Sequence, residues 1–259
     1  MKQIRFIYKY FKHAFSAKHT RGFRIHSPFI YNFTCFVIYE KKPFYVFFKI
    51  ETLRRSLLKN NNKILITDFG TGINREKTIK SVAIRSLKTE KYGQLFFRIV
   101  NYLGSKEMLE LGTSLGITTS YLAAVSTDIR CTTMEGCPQI AATAADNFKQ
   151  LKLDNVNLVV GNIDEKLATV LEKTEKLDFV FIDANHRYEP LVRYFEQILP
   201  KLHDKSVLII DDLYWSADME KAWNTLKEHP KASATIDLFQ VGIIFFNPEL
   251  NKMHYKMRF

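Results

Sequence analysis

Apolar and basic side chains alternate at helical spacing near the start of the chain. In residues 4–15 the apolar positions recur one helical turn apart and the lysines and arginines fall between them, so the pattern predicts a basic amphipathic helix. Ser27 and Pro28 suit the start of a second, aromatic-rich helix that runs to about Tyr39. A third helix is predicted over residues 44–59. The apolar stripe of the first helix consists of Ile4, Ile7, Tyr8, Phe11, Ala14 and Phe15.

From residue 93 onward, short apolar runs typical of buried strands alternate with helical segments. The runs MLEL, IRCTTME, VNLVV, DFVFI and SVLII each follow a predicted helix, which indicates a parallel sheet wound with helices. Two later runs, TIDLF and VGIIFF, are close enough to pair as an antiparallel hairpin, and HYKMRF can add an edge strand. The predicted fold class is α/β: a doubly wound, Rossmann-like, mostly parallel seven-stranded sheet with an antiparallel C-terminal hairpin and an N-terminal basic helical extension.

Charge separates the beginning of the chain from the rest. Residues 1–65 contain 14 lysines and arginines but only two acidic residues, whereas residues 66–259 contain 24 basic and 25 acidic residues. We therefore expect a basic, aromatic-rich helical extension over 1–65, a connector over 66–92 and a main domain over 93–259. The glycine turn DFGTG, at residues 68–72, belongs to the connector because no strand with an acidic end follows it at the spacing of a dinucleotide site.

The cysteine content and the first residues of the chain indicate the cellular compartment of the protein. Three cysteines at irregular spacing favour neither a disulfide framework nor a zinc site, which indicates a reducing compartment. Charged residues interrupt the apolar runs at the start, so we expect neither a signal peptide nor a membrane span. The expected location is the cytoplasm.

The stretch LELGTSLG, residues 109–116, is compatible with three kinds of turn. A NAD-type loop would have further glycines where this chain has Ser114 and Ile117. A serine hydrolase elbow, G-x-S-x-G, would use Ser114 as nucleophile, but no oxyanion segment of the HGGG type precedes it. The third alternative is a strand-to-helix turn with no ligand. A hydrolase and a noncatalytic nucleotide-binding or membrane-associated module therefore stay open as alternative functions.

An acidic residue at the end of the next predicted strand favours a cofactor loop. Glu135 follows Gly112 by 23 positions, and an acid at this place can accept hydrogen bonds from both hydroxyls of a ribose. Gly112 and Gly116 would let the backbone approach a ligand closely.

Four segments together resemble class I S-adenosylmethionine-dependent methyltransferases over about residues 93–247: LELGTSLG, the strand-end Glu135, VVGNIDE and DFVFIDANHRYE. FIDANHRYE followed by VLIIDD is similar to metal-assisted small-molecule O-methyltransferases. The resemblance implies that the first loop holds the methionine part of the cofactor, that the acid holds the ribose and that the third loop borders the adenine. By that implication the cofactor is contacted by Glu110, Gly112, Thr113, Ser114, Gly116, Glu135, Asn162, Ile163 and Asp183.

Three aspartates follow the fourth and fifth predicted strands. Asp183 ends one strand, and Asp211 and Asp212 end the other, so the carboxylates should meet at one edge of the sheet. Their mutual repulsion would be relieved by Mg²⁺, which prefers oxygen ligands. Helix capping is the alternative role for these aspartates. His186 stands where the resemblance places a general base, so Asp183 and His186 are the expected catalytic pair.

The expected methyl acceptor is a small-molecule or lipid-like hydroxyl compound. Tyr214 and Trp215, after the acidic pair, can form a wall of its pocket or belong to the core. We expect the basic extension to cover the active site, with its apolar stripe toward the core, and Arg21, Arg24 and His26 can then meet an anionic acceptor. Contact of the first helix with an anionic membrane is a second alternative, and nucleic acid is a less favoured third.

Overall fold

The computed structural model describes residues 2–67 and 74–259. The chain divides into two units: unit 1 comprises Met1–Glu40 and Thr174–Phe259, and unit 2 comprises Lys41–Lys173. The DFGTG turn lies outside the described residues.

Ten α-helices and ten strands alternate over most of the described chain. The helices are α1 (Lys2–Ser16), α2 (Pro28–Phe33), α3 (Tyr45–Leu57), α4 (Ile79–Ser86), α5 (Glu90–Leu103), α6 (Ile117–Ala123), α7 (Pro138–Leu151), α8 (Ile163–Glu172), α9 (Tyr188–Ile198) and α10 (Ala217–Lys227). The strands are β1 (Lys63–Thr67), β2 (Asn74–Thr78), β3 (Glu107–Leu111), β4 (Arg130–Glu135), β5 (Val156–Val160), β6 (Leu177–Ile182), β7 (Leu202–Ile210), β8 (Ala234–Asp237), β9 (Gly242–Phe245) and β10 (Met253–Lys256).

The three predicted N-terminal helices are confirmed, with one change. The second begins where Ser27 accepts a hydrogen bond from the Ile30 amide, with Pro28 in its first turn. It continues beyond Phe33 as a π-helical turn over Thr34–Ile38. The hydroxyl of Thr34 donates to the Ile30 carbonyl at 2.7 Å, and such bonding to the preceding turn perturbs regular helix geometry.

Unit 2 contains a parallel three-stranded sheet in the order β3-β4-β5. Leu111 is paired with Met134, and Glu135 with Val160, so the carboxyl ends of the three strands lie in line. The region expected to be a connector is more ordered than a linker: β1 and β2 pair antiparallel, and helix α4 follows. A cluster of buried side chains that includes Phe47, Phe97 and Tyr121 packs helices α3, α5 and α6 together.

Unit 1 contains a mixed sheet in the order β6-β7-β9-β8-β10. Strands β6 and β7 are parallel, β9 is antiparallel to both β7 and β8, and β10 is parallel to β8. The predicted antiparallel hairpin and edge strand are therefore confirmed. The two units contribute eight strands to these sheets instead of seven, because β10 adds to the hairpin, and β1-β2 is a separate pair.

The expected orientation of the first helix is wrong. Its apolar stripe faces solvent: Ile4 is 73% and Phe15 is 83% exposed. The opposite face packs on unit 1, where the rings of Phe6 and Tyr10 meet Phe239 edge-on. The packed face also contains His13, which is buried and contacts Asp237.

Within residues 2–67 and 74–259, none of the helices combines the length and the apolar character needed to cross a membrane.

Candidate functional site

The turn after β3 has an unusual backbone. Gly112, Ser114 and Gly116 all have positive φ values, 104°, 48° and 78°, which non-glycine residues rarely adopt. The amides of Gly112 and Thr113 both donate to the Met134 carbonyl, at 3.0 and 3.1 Å, and so hold the turn against β4. A Cβ atom at Gly116 would lie 2.6 Å from Cε1 of Phe148, so this position requires glycine.

Glu110 lies beneath the turn and is completely buried. Its carboxylate accepts hydrogen bonds from the hydroxyls of Thr119 and Thr133, the latter at 2.6 Å. Thr133 also contacts the hydroxyl of Thr113 at 2.6 Å. This network connects β3, β4, the turn and helix α6, so Glu110 supports the turn from inside. Its predicted contact with the cofactor stays a prediction.

Glu135, at the end of β4, is bound to the turn. One carboxylate oxygen accepts from the Ser114 amide at 2.8 Å and the other from the Cys137 amide at 2.9 Å. Burial raises the pKa of Glu135, although the hydrogen bonds from the amides of Cys137, Ser114 and Gly136 oppose that rise. Each carboxylate oxygen has a second acceptor position, so the group can serve the turn and a ligand together.

The third loop of unit 2 adjoins the end of β4. The Gly161 amide donates to the Glu135 carbonyl at 2.9 Å. Asn162 caps helix α8, where its side chain accepts from the Asp164 amide at 3.1 Å, and Ile163 is the first residue of that helix. The structure thus brings the predicted cofactor residues 110–116, 135 and 162–163 to one edge of the unit 2 sheet.

The environment of Ser114 does not support the hydrolase alternative. Its hydroxyl contacts the hydroxyl of Ser86 at 2.6 Å, and a serine hydroxyl is not a general base near neutral pH. Within residues 2–67 and 74–259, no hydrogen bond joins Ser114 to a histidine.

Unit 1 brings two of the predicted aspartates together. Ile182 is paired with Ile210, and the Asp211 amide donates to the Ile182 carbonyl at 3.0 Å, so Asp183 and Asp211 follow neighbouring strands at one edge. Asp211 is completely buried. One ligand atom from each of Asp183, His186 and Asp211 lies within 4.8 Å of the others. We call these three residues the acidic cluster.

His186 joins Asp183 and Asp211 in this cluster, and Asp212, the third predicted ligand, adjoins it. Nε2 of His186 lies 3.3 Å from Oδ1 of Asp183 and 3.5 Å from Oδ2 of Asp212. Asn185 and Asp212, on either side of the cluster, have φ values of 51° and 53°. Strained backbone of this kind concentrates at functional sites, which is consistent with an imposed geometry here.

The other predicted acceptor residues have different surroundings. The Tyr214 hydroxyl donates to Oδ2 of Asp237 at 2.6 Å, and its ring stacks on Phe239, whereas Trp215 is 68% exposed. Arg21, Arg24 and His26 are exposed.

Two buried polar residues of unit 1 were not predicted from the sequence. Asp237 is buried at the end of β8, and Nε2 of His13 lies 2.9 Å from its Oδ1. One feature of the sequence could have indicated His13. It lies outside the apolar stripe of the first helix, where the other charged residues are lysines and arginines.

Residues 109–213 match the family model described as a methyltransferase domain. This matched segment includes the turn after β3, Glu135, Asn162 and the acidic cluster. A search of curated proteins finds "O-methyltransferase imqG" of Aspergillus flavus, 29% identical over 116 residues. That alignment covers 42% of this chain and 46% of the relative, so the chain spans about half the length of the curated relative that it matches.

Solved structures share the fold of most of this chain. An O-methyltransferase from Bacillus cereus in complex with SAH has a TM-score of 0.57 at 18% identity, covering 83% of this chain and 96% of that one. TomG, an O-methyltransferase from Streptomyces achromogenes solved with SAM, has a TM-score of 0.56 at 18% identity, covering 84% and 94%. The fold is therefore the α/β Rossmann-like methyltransferase fold with a mostly parallel central sheet.

Proposed function

We propose that this protein transfers a methyl group from S-adenosylmethionine to a hydroxyl oxygen of a small or lipid-like acceptor. The observation that carries the proposal is the contact between Glu135 and the turn after β3, inside a methyltransferase domain. The curated relative and the two structural neighbours described above are named as O-methyltransferases, and these neighbours were solved with SAH and with SAM.

The residues of unit 2 fit this cofactor. S-adenosylmethionine, when bound, supplies a methyl group on a positively charged sulfur. We assign its methionine part to the turn of Gly112, Thr113, Ser114 and Gly116, where Gly116 keeps the backbone open. Glu135 would accept from the ribose hydroxyls through its second acceptor positions, and Asn162 and Ile163 would border the adenine. Asp183 is kept as a further cofactor residue on the resemblance alone.

The acidic cluster is assigned to the acceptor. A buried carboxylate beside a second carboxylate is costly without a cation, so Asp211 and Asp183 fit a divalent ion such as Mg²⁺, with Asp212 as a third ligand. Such an ion, when bound, acidifies a coordinated hydroxyl. His186 would receive the hydroxyl proton on Nε2, and Asp183 and Asp212, whose oxygens lie 3.3 and 3.5 Å from that atom, would stabilise the positively charged ring. The cluster would thereby orient the hydroxyl oxygen for direct displacement.

The exposed stripe of α1 supports contact with an anionic membrane surface. Ile4, Ile7, Phe11 and Phe15 present apolar area to solvent, while residues 1–65 have a large excess of positive charge. A helix with both properties lies in the membrane interface and is attracted by anionic lipids. We also keep two predictions as part of this proposal. One is the division into an extension over 1–65, a connector over 66–92 and a domain over 93–259, and the other is a cytoplasmic location.

Calorimetry tests the cofactor assignment. S-adenosylmethionine and its demethylated product should bind the protein, and NADH should not. Glu135→Ala should weaken binding at least about tenfold, whereas Glu172→Gln, at the far end of helix α8, should leave the affinity unchanged. Binding of NADH in preference, or equal binding by the Glu135→Ala protein, would refute the assignment. Methyl transfer is then followed by mass spectrometry on a panel of hydroxyl compounds.

A further inference from the structure

A cavity of about 500 Å³ lies in unit 1 between helix α1, helix α10 and the ends of strands β8 and β10. We call it the α1 pocket. Its floor is formed by Asp237 and the ring of Trp223, both almost completely buried. Tyr8 and Tyr255 provide further aromatic wall. A cavity of this size and mixed lining is in the range of small-molecule sites.

The charge of the α1 pocket is strongly positive. Five lysine and arginine side chains line it, against the two acids Glu220 and Asp237. Both acids are already engaged: Glu220 pairs with Lys9, and Asp237 with His13 and Tyr214. The basic lining residues are Arg5, Lys9, Lys12, Lys227 and Lys256.

Three of these five cations have no acidic partner among residues 2–67 and 74–259. In the described part of the chain, Arg5, Lys12 and Lys227 form no ion pair. They come from two separate helices, so the fold brings together positive charges that repel one another. An anion bound between them would remove that repulsion and accept several charge-assisted hydrogen bonds. A phosphate ester, with its several acceptor oxygens and double charge, suits such a set better than a single carboxylate.

The α1 pocket adjoins the acidic cluster along the edge of the sheet. Asp237 is paired with Gly242, and Gly242 is paired with Ile210, which directly precedes Asp211. Neighbouring strands are about 4.8 Å apart, so Asp237 is roughly 10 Å from the strand end that holds Asp211. Tyr214, three residues after Asp211, lines the pocket itself. One molecule can therefore reach both places.

We propose that the α1 pocket binds a phosphate ester group of the methyl acceptor, while the acceptor hydroxyl lies at the acidic cluster. The identification of the ligand as the methyl acceptor rests on the proposed methyl transfer. Phosphate binding in the α1 pocket is a separate property that can be tested by itself. The phosphate ester belongs either to a free metabolite or to the head group of a membrane lipid, since both offer the same chemistry to the three cations.

Intrinsic fluorescence gives a direct test. The chain has two tryptophans, and a Trp215→Phe background leaves Trp223, in the pocket wall, as the reporter. Inorganic pyrophosphate and glycerol 3-phosphate are titrated at constant ionic strength. Both should change the Trp223 signal saturably, and Lys12→Gln with Lys227→Gln should weaken the binding at least about tenfold.

A matched control removes the same charge elsewhere. Lys176→Gln with Lys205→Gln alters two exposed lysines, one directly before β6 and one within β7, so the affinity should stay within about twofold. Absence of a saturable signal in the parent, or equal weakening by both double variants, would overturn the proposal. Thermal unfolding of each variant establishes that the fold is intact.

Two further measurements separate the proposals and the sources. If the protein binds phosphate in the α1 pocket but does not bind S-adenosylmethionine, the phosphate site is supported and the methyl transfer is refuted. If it binds S-adenosylmethionine but no phosphate, the methyl transfer is supported and the phosphate site is refuted. Sedimentation with vesicles of phosphatidylcholine and phosphatidylglycerol in equal amounts identifies the source. If the group is a lipid head group, pyrophosphate competes with the vesicles and Lys227→Gln weakens vesicle binding. If it is a free metabolite, vesicle binding responds to Phe15→Ser alone.

Discussion

His13, in the first helix, lies 2.9 Å from Asp237 at the end of β8, although 224 positions separate them. The second carboxylate oxygen of Asp237 accepts from the Tyr214 hydroxyl, and the Phe239 amide donates to the first at 2.9 Å. One buried carboxylate therefore joins helix α1, the segment after β7 and the turn after β8.

We predict that Asp237→Asn destabilises the protein at neutral pH by about 1.5–3 kcal/mol, the range for hydrogen bonds to a charged group. Burial alone would raise the pKa of Asp237, but the contacts with His13 and Tyr214 outweigh it and the pKa is lowered. A lowered pKa gives stability that is present above the unfolded-state value and is lost as the pH falls through the folded-state value.

Urea unfolding of the parent and the variant at several pH values measures this. The difference in unfolding free energy should shrink in acid, and Asp204→Asn, an exposed aspartate, should show no comparable difference at any pH. A difference in unfolding free energy between the parent and Asp237→Asn that does not change with pH would contradict the stabilising role of the Asp237 charge.

The strands of both sheets could be predicted because each is a short apolar run bounded by turn residues. The adjacency of Asp183 and Asp211 could also be predicted, since neighbouring parallel strands end at one edge. The orientation of α1 could not. Periodicity identifies which side chains share a face, such as Ile4 and Phe15, but not which face the rest of the protein covers.

Contacts that depend on loop conformation could not be predicted from the sequence either. The position of His186 between Asp183 and Asp212 accompanies positive φ values at Asn185 and Asp212, which the local sequence does not specify. The partner of Ser114 is Ser86, on a helix in a region expected to be a connector. The pairing of His13 with Asp237 needs the whole of unit 1 to be folded.

Gly116→Ala should weaken cofactor binding and destabilise the protein by about 2–3 kcal/mol. The new methyl group would meet the Phe148 ring at 2.6 Å, and alanine is strained at a φ of 78°. Gly104→Ala is the matched control, because Gly104 has a φ of 65° but open space around it. It should cost only about 1 kcal/mol, from the backbone alone. Equal losses of unfolding free energy in the two variants would show that the ring contact is unimportant.

Glu135→Gln should lower the affinity for S-adenosylmethionine at least about tenfold and cost about 1–3 kcal/mol of stability at pH 7, because the NH2 group of the glutamine cannot accept from the Ser114 or the Cys137 amide. Burial raises the pKa of Glu135, so the carboxyl contributes stability that is present below its unfolded-state pKa and is lost as the pH rises through the folded-state value. The parent should therefore gain stability relative to the variant on acidification from neutral pH. Calorimetry measures the affinity, and an unchanged affinity would refute the cofactor assignment. Unfolding at several pH values measures the stability, and a relative loss of parental stability in acid would contradict the raised pKa of Glu135.

Ser114→Ala should leave methyl transfer within about threefold of the parent, because it removes one side-chain hydrogen bond of modest net value and keeps the Ser114 amide on Glu135. A fluorophosphonate probe should label neither protein. Labelling of the parent that disappears in the variant would instead favour a serine hydrolase.

Asp211→Asn should reduce kcat/KM at least about tenfold, and a chelator should reduce the parent to a similar level. The substitution preserves the volume of a completely buried side chain but removes a charge that a cation would need. It should also abolish the heat of Mg²⁺ binding in calorimetry. In the absence of metal it should raise the unfolding temperature, because one of two adjacent like charges is gone.

Asp218→Asn, at an exposed position in helix α10, serves as the control. Full activity of the parent in excess EDTA would remove the ion from the proposal, and His186 and the two remaining aspartates would then have to orient the hydroxyl alone.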